Sequence, residues 1–215
     1  MKKIKAIIFD MDGVIFDSER CIIECWEKVA EKYGFTGIKE VCYECTGTNA
    51  ATTRQIMLDH YGEDFPYEEY RQESSGMFHQ LYDGGKLPTK PGIKELLEHL
   101  KSKGYKIGLA SSTRRENVVM ELRDAGLIDY FEHLICGDMV DRSKPDPDIY
   151  LKACKALDVE PAEAVAIEDS FNGIRSAYAG GLHPIMVPDQ IPPDSEMSEK
   201  AERIEKSLFD LMEIL

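Results

Sequence analysis

The sequence lacks any apolar run long enough to cross a membrane. A membrane helix needs ~20 consecutive apolar residues, whereas the apolar run near the amino terminus ends at Phe9 and is also too short for a signal peptide. Positive charge is scarce: 26 lysines and arginines face 40 aspartates and glutamates, so the net charge is −14. Because nucleic acids and anionic membranes are bound through basic faces, we expect neither as a partner.

The cysteines do not form the pattern of a disulfide framework. They stand at six positions, Cys21, Cys25, Cys42, Cys45, Cys136 and Cys154. The last two lie in apolar contexts and are predicted core residues. The first four leave a four-thiolate zinc site open as an alternative. Taken together, the cysteines favour a reducing compartment, and we expect the protein to be cytoplasmic.

A buried strand that leads into two carboxylates is the main feature of the sequence. Residues 3–9 predict a strand with both faces buried, as in a parallel sheet covered by helices. Asp10 and Asp12 follow directly, and Gly13 permits a sharp turn. Carboxylates are almost never buried without a partner. The pair therefore predicts a site that holds a cation, a proton or a reacting group.

The rest of the chain has two regions with different secondary-structure patterns. Residues 18–87 contain helical periodicity, with helices predicted at 18–33, 39–45, 51–61 and 67–82, and no strand pattern. From residue 91 helices alternate with strands, which are predicted at 105–110, 133–136, 164–167, 183–187 and near 204. Alternation of this kind predicts a parallel sheet with right-handed crossovers. We therefore expect an α/β core from residues 1–17 and 88–215, with residues 18–87 inserted above the carboxyl ends of the strands.

Local signals predict several helix starts in the core. Thr113-x-x-Glu116 matches a capping box. Asp146-Pro147 matches an N-cap residue followed by proline in the first helical position. Ser170 is a predicted cap for the next helix. Residues 189–199 are polar and contain proline, so they predict a surface loop.

Four groups of polar residues fall at predicted strand ends or in nearby loops. They occur in the segments Asp10-Met11-Asp12-Gly13-Val14, Leu109-Ala110-Ser111-Ser112, Ser143-Lys144-Pro145-Asp146-Pro147 and Ile167-Glu168-Asp169-Ser170. The element order would bring all four to one edge of the sheet, where ligands of open α/β sheets bind. In this order the four segments closely resemble the sequence motifs of the haloacid dehalogenase-like superfamily. The chain is most similar to the branch of β-phosphoglucomutases and sugar-phosphate phosphatases.

The resemblance implies a fold and a reaction. The fold is a Rossmann-like three-layer core with a parallel sheet and an inserted all-helical cap domain. The reaction is Mg²⁺-dependent hydrolysis of a small phosphomonoester, a sugar or polyol phosphate, through an aspartyl phosphate. The implied catalytic residues are Asp10 as nucleophile, Asp12 as acid and base, Ser111 as a phosphate ligand and Lys144 as the neutralising cation. The implied metal ligands are Asp10, Asp12, Glu168 and Asp169.

Candidate substrate contacts lie beside the phosphate site and in the insertion. They are Ser112, Arg114, Thr48, Asn49 and Arg54. The mutase branch carries a histidine and an arginine at cap positions that fall here at Ile22 and Ala50, so hydrolysis is favoured over isomerisation. We expect a monomer that acts on a small phosphorylated metabolite.

Three further alternatives are weighed against this interpretation. Asp10-x-Asp12-Gly could belong to a calcium loop, but such a loop needs oxygen ligands where Val14 and Phe16 stand. A response-regulator receiver also uses an aspartate and Mg²⁺, but it is about half this length. The third alternative is a haloacid dehalogenase, which is disfavoured because such an enzyme needs neither Asp12 nor a metal.

Overall fold

The chain folds as two compact units in the computed structural model, which describes residues 3–45 and 50–215. One unit, here called the core unit, comprises Met1–Asp17 and Pro88–Leu215. The other, the helical unit, comprises Ser18–Leu87. That the helical unit acts as a cap over a substrate stays a prediction.

The core unit is built on a six-stranded sheet. Its strands are β1 (Ala6–Phe9), β2 (Lys106–Ser111), β3 (His133–Cys136), β4 (Ala164–Glu168), β5 (His183–Met186) and β6 (Arg203–Ile204). The strand order is β3-β2-β1-β4-β5-β6, and every neighbouring pair is parallel. The predicted α/β, Rossmann-like fold class is therefore confirmed. The order reverses direction between β1 and β4, and the crevice at such a switch point is where open parallel sheets bind ligands.

The helical unit contains α1 (Ser18–Tyr33), α2 (Ile38–Cys45), α3 (Ala50–Tyr61) and α4 (Tyr67–Tyr82). Its apolar residues recur at helical spacing and form a core of their own around Val29, Met57 and Tyr70. Aromatic rings dominate this core: Tyr70 packs edge-on against Trp26 and donates its hydroxyl to the Trp26 carbonyl oxygen. The unit thus has its own source of stability.

The remaining helices flank the sheet. They are α5 (Ile93–Ser102), α6 (Arg115–Asp124), α7 (Asp148–Ala156), α8 (Phe171–Ala179), α9 (Ser195–Lys200) and α10 (Leu208–Ile214). The predicted core cysteines Cys136 and Cys154 are both buried. Among the described helices, none combines the length and the apolar character that crossing a bilayer requires.

Three local predictions have different outcomes. Ser170 caps α8 as predicted, because its hydroxyl accepts a hydrogen bond from the Gly173 backbone N–H at 3.0 Å. The predicted capping box is wrong: α6 has Arg114 at its N-cap, without a side-chain cap bond. The predicted loop at 189–199 is also wrong in part, because α9 forms there and fully buries Met197.

The start of α7 also differs from the prediction. Pro147 occupies the N-cap position, and the helix begins at Asp148. Asp146 lies outside the helix and accepts a hydrogen bond from the Asp148 backbone N–H at 3.1 Å. The cap-like bond therefore forms, but the helix starts later than the dipeptide suggests.

The packing of the core unit can be tested by a matched pair of leucine substitutions. Leu97 on α5 is 0% exposed, whereas Leu151 on α7 is 40% exposed. Leu97→Ala should lower the free energy of unfolding by about 2–5 kcal/mol, since it leaves a cavity. Leu151→Ala should lower it by only about 0.5 kcal/mol. Urea denaturation followed by circular dichroism measures both, and equal losses would contradict the packing described here.

Candidate active site

The carboxyl ends of β1 and β4 bring three carboxylates together. Phe9 is in register with Ile167, and the Asp10 backbone N–H donates to the Ile167 carbonyl oxygen at 2.9 Å. Asp10 and Glu168 therefore follow at the same level on adjacent strands, with Asp169 next to Glu168. Each of the three offers a carboxylate oxygen that lies within 4.8 Å of the others, and all three residues are buried.

Lys144 supplies the positive charge inside this cluster. It comes from the loop after β3, and its Nζ donates to Asp10 Oδ1 at 2.6 Å, to Glu168 Oε1 at 2.6 Å and to the Ala110 carbonyl oxygen at 2.9 Å. An ammonium has three N–H donors, so all three are used. Burial opposes the charged form, but attraction to Asp10 and Glu168 outweighs it and raises the Lys144 pKa. Lys144 is therefore a fixed cation.

The donor set fits a divalent cation. Lys144 can balance at most one of the three carboxylate charges. Burial raises the pKa of Asp10 far above its ordinary value, while attraction to Lys144 lowers it. A divalent cation beside Asp10 would favour its charged form further. Carboxylate oxygens are the hard ligands that Mg²⁺ prefers.

Gly13 lets the chain turn close to this cluster. Its φ is +79°, a conformation that favours glycine. A Cβ built at Gly13 would lie 2.1 Å from Asp169 Oδ2. The glycine is therefore required both for the turn after β1 and for the approach of Asp169.

The Asp12 carboxylate is held by Thr113, a residue predicted to have a different role. Thr113 Oγ1 donates to Asp12 Oδ2 at 2.9 Å. Thr113 was predicted to cap α6 through a capping box, but its hydroxyl instead joins two loops that are far apart in the chain. Nothing in the local sequence signals this contact.

The segment after β2 places Ser111 and its neighbours. Ser111 is fully buried, and its Oγ accepts a hydrogen bond from the Thr113 backbone N–H at 3.0 Å. The Ser111 hydroxyl can still donate its own hydrogen. Ser112 and Arg114 are exposed beside it.

Three candidate contacts belong to the helical unit. Arg54 lies on α3 and is exposed. Thr48 and Asn49 lie outside the described residues, so their predicted contacts are not addressed by the structure.

Two residues at the site were missed at the sequence level. Tyr150 is fully buried on α7 and donates its hydroxyl to Glu168 Oε1 at 2.7 Å. Gly173 lies in the first turn of α8, where a Cβ would fall 1.9 Å from the Glu168 carboxyl group. A glycine inside a helix was a usable signal, whereas a tyrosine at an apolar helix position is typical of any core.

The zinc alternative finds no support in the described residues, which include all six cysteines. The one group of three or more candidate ligands found among them is the carboxylate cluster of Asp10, Glu168 and Asp169. Burial raises the pKa of Cys42 to about 12 and that of Cys45 to about 11. Zinc binding at these thiols would therefore have to displace their protons.

Comparison with known proteins agrees with this fold and shows the family of the chain. The family model for haloacid dehalogenase-like hydrolases matches residues 7–187. A phosphorylated carbohydrates phosphatase of Thermotoga maritima is 34% identical over 185 residues, which are 84% of this chain and 83% of the relative. A β-phosphoglucomutase of Bacillus subtilis is 33% identical over 190 residues, 85% and 83% of the two chains.

A solved structure extends the similarity to three dimensions. A HAD family hydrolase of Deinococcus radiodurans, with bound phosphate and sodium, superposes with a TM-score of 0.81 at 27% identity, covering 97% of this chain and 93% of that one. The chain therefore belongs to the haloacid dehalogenase-like hydrolase family.

The close approach at Gly173 gives a test with a matched control. Gly173→Ala should lower the free energy of unfolding by about 1–3 kcal/mol, because the new methyl group meets the Glu168 carboxyl group. Gly76 is also helical and has no atom within 4 Å of the Cβ position. Gly76→Ala should raise the same quantity by about 0.5–1 kcal/mol. Chemical denaturation measures both, and a stabilising Gly173→Ala would contradict the contact.

Proposed function

We propose that the protein is a Mg²⁺-dependent phosphatase that hydrolyses a small phosphomonoester, a sugar or polyol phosphate, through an aspartyl phosphate. The observation that carries the proposal is the buried pair of Asp10 and Lys144 at the switch point of the sheet, with Asp169 beside it. A nucleophile, a fixed cation and further hard-oxygen ligands in one place are what phosphoryl transfer needs.

Asp10 acts as the nucleophile in this proposal. Its carboxylate attacks phosphorus, the bond to the leaving oxygen breaks, and an aspartyl phosphate forms; water then cleaves that acyl phosphate and regenerates the carboxylate. Lys144 balances the charge of Asp10 and of the transferred group. Ser111, with nearby backbone N–H groups, donates to the phosphate oxygens.

Asp12 moves the protons. It gives a proton to the leaving oxygen in the first step and takes one from water in the second. Thr113 holds the Asp12 carboxylate through the 2.9 Å hydrogen bond, so the group is oriented before substrate arrives.

Mg²⁺ would be held by Asp10, Asp12 and Asp169, with Glu168 next to them. When bound, it supplies charge neutralisation and alignment of the phosphoryl oxygens. The buried carboxylates of Asp10, Glu168 and Asp169 support this assignment because their donor atoms suit a hard cation.

The substrate assignment is supported by the names of the relatives. One of them is named a phosphatase of phosphorylated carbohydrates. Ser112 and Arg114, exposed beside the Ser111 segment, are proposed to contact the substrate, as are Thr48, Asn49 and Arg54 of the helical unit. We also propose that this unit, residues 18–87, is the cap, because it forms a compact unit of its own that is inserted in the chain between β1 and β2.

A β-phosphoglucomutase-type isomerase is the second candidate, because one relative carries that name. It is less well supported, since Ile22 and Ala50 stand where that branch has a histidine and an arginine. A phosphatase transfers the group to water and needs neither side chain.

The net charge and the cysteines bear on the partners and the compartment of the protein. A net charge of −14 disfavours nucleic acid as a partner. All six cysteines are free, as expected in a reducing compartment. We therefore propose a cytoplasmic location. That the protein is a monomer stays a prediction.

Asp10→Asn should abolish turnover, because the amide is not a nucleophile. The variant should still fold, because Lys144 keeps Glu168 as a carboxylate partner at 2.6 Å. The measurement is release of inorganic phosphate from β-glucose 1-phosphate and from polyol phosphates with Mg²⁺, and its loss on adding EDTA. The control is Asp129→Asn, an exposed residue just before β3. Retained activity of Asp10→Asn would remove the nucleophile assignment. Glucose 6-phosphate as the main product of the wild type would favour the isomerase.

Asp12→Ala should act selectively on poor leaving groups. For an alkyl phosphate, kcat/KM should fall by about 10²–10⁴-fold, the usual contribution of a general acid. For p-nitrophenyl phosphate the loss should be much smaller, because that leaving group needs no proton. Comparison of the two substrates measures this, with Asp129→Ala as control. Equal losses for the two would contradict the role of Asp12 as acid.

A further inference from the structure

Tyr150 has a buried hydroxyl group at the active site that the proposed mechanism does not use. The residue is 0% exposed and belongs to a hydrophobic cluster of the core unit. Its ring packs in this cluster, and its hydroxyl donates to Glu168 Oε1 at 2.7 Å. Burial, and then the charge of Glu168, raise the Tyr150 pKa well above its ordinary value, so the hydroxyl stays a donor.

Glu168 Oε1 is shared by Tyr150 and Lys144. The Lys144 Nζ donates to the same oxygen at 2.6 Å. The other oxygen, Oε2, accepts from Ser170 Oγ at 3.0 Å. The carboxylate is thus oriented from both sides, with Oε1 turned toward Lys144. Without the tyrosine hydroxyl, Oε1 would be held by Lys144 alone.

The ring of Tyr150 also faces the ammonium. Lys144 Nζ lies 5.2 Å from the ring centroid, within the range of a cation–π contact. Tyr150 therefore contacts Lys144 through its ring and acts on it through Glu168. Phenylalanine would keep the ring and lose only the hydroxyl, which makes the hydroxyl separable by experiment.

The orientation of Glu168 matters most during the reaction. In the resting site Lys144 has two carboxylate partners, Asp10 at 2.6 Å and Glu168 at 2.6 Å. As Asp10 bonds to phosphorus, its carboxylate loses its negative charge, and the electron pair of the broken P–O bond goes to the leaving oxygen, which Asp12 protonates. The position of the ammonium is then set by its remaining partners, Glu168 and the Ala110 carbonyl oxygen.

We propose that Tyr150 is a positioning residue for phosphoryl transfer: its hydroxyl fixes Glu168 so that Lys144 stays aligned with the transferred group. The inference rests on the proposed function and adds a residue to it. Because the effect is on a charge that develops in the transition state, it should appear in kcat and not in ground-state binding.

The test is Tyr150→Phe, compared with Tyr105→Phe. The Tyr105 hydroxyl donates to the Leu215 carbonyl oxygen at 3.2 Å and precedes β2, at the opposite end of the strands from Ser111. Both variants lose one hydroxyl hydrogen bond. With saturating Mg²⁺, Tyr150→Phe should lower kcat for p-nitrophenyl phosphate about tenfold, with KM changed less than about twofold. Tyr105→Phe should leave both values within about twofold of the wild type.

Calorimetric binding gives a readout independent of turnover. Orthovanadate resembles the five-coordinate phosphorus of the transition state, whereas inorganic phosphate resembles the ground state. Tyr150→Phe should weaken orthovanadate binding about tenfold and leave phosphate binding within about twofold. Loss of stability alone would not change this ratio. Both titrations are run with Mg²⁺ present, since a bound ligand stabilises the native state of the variant.

The outcomes separate the two proposals. Wild-type turnover with an unchanged vanadate-to-phosphate ratio in Tyr150→Phe would overturn the role of Tyr150 and leave the phosphatase assignment standing. A tenfold fall in kcat with the same fall in vanadate affinity would support it. A wild type that releases no phosphate from any phosphomonoester would overturn the proposed function itself.

Discussion

The ion pair between Lys144 and Asp10 is the interaction on which the rest of the site depends. Both groups are nearly removed from water, with 7% and 10% of their side chains exposed. Burying either charge alone would be costly, and removal of one partner of a buried pair typically destabilises by about 3–5 kcal/mol. The fold therefore has to bring the loop after β3 and the end of β1 to one point, and the β3-β2-β1-β4 order does so.

Glycines and backbone register determine how tightly the carboxylates can approach this pair. Glu168 fits because Gly173 has no side chain, and Asp169 fits because Gly13 has none. The parallel pairing of β1 with β4 sets the level of Asp10 relative to Glu168. The cluster of carboxylates thus depends on two uncharged residues, Gly13 and Gly173, and on strand pairing. A substitution that changes the packing at either glycine should therefore also move a carboxylate of the site.

Periodicity and strand ends predicted the fold class and the positions of Asp10, Ser111, Lys144 and Glu168, because these features are local. The contacts that sequence analysis missed link distant segments. Thr113 has a good local partner in Glu116, but its hydroxyl bonds to Asp12, which is 101 positions away. Tertiary contacts of this kind override capping patterns. Met197 shows the same effect, since a polar segment became a helix around one buried residue.

Tyr150 illustrates how a residue packed behind a charged site can orient the charges in it. The motif residues supply the charges, but a carboxylate such as Glu168 can turn about its side-chain bonds unless its oxygens are bound. A hydroxyl from the neighbouring helix α7 binds one oxygen and thereby fixes the direction of the Lys144 contact. Such outer hydrogen bonds orient catalytic groups without touching substrate. Differences in rate between relatives with the same motifs should therefore be sought in the packed helices around the motifs as well as in the motifs themselves.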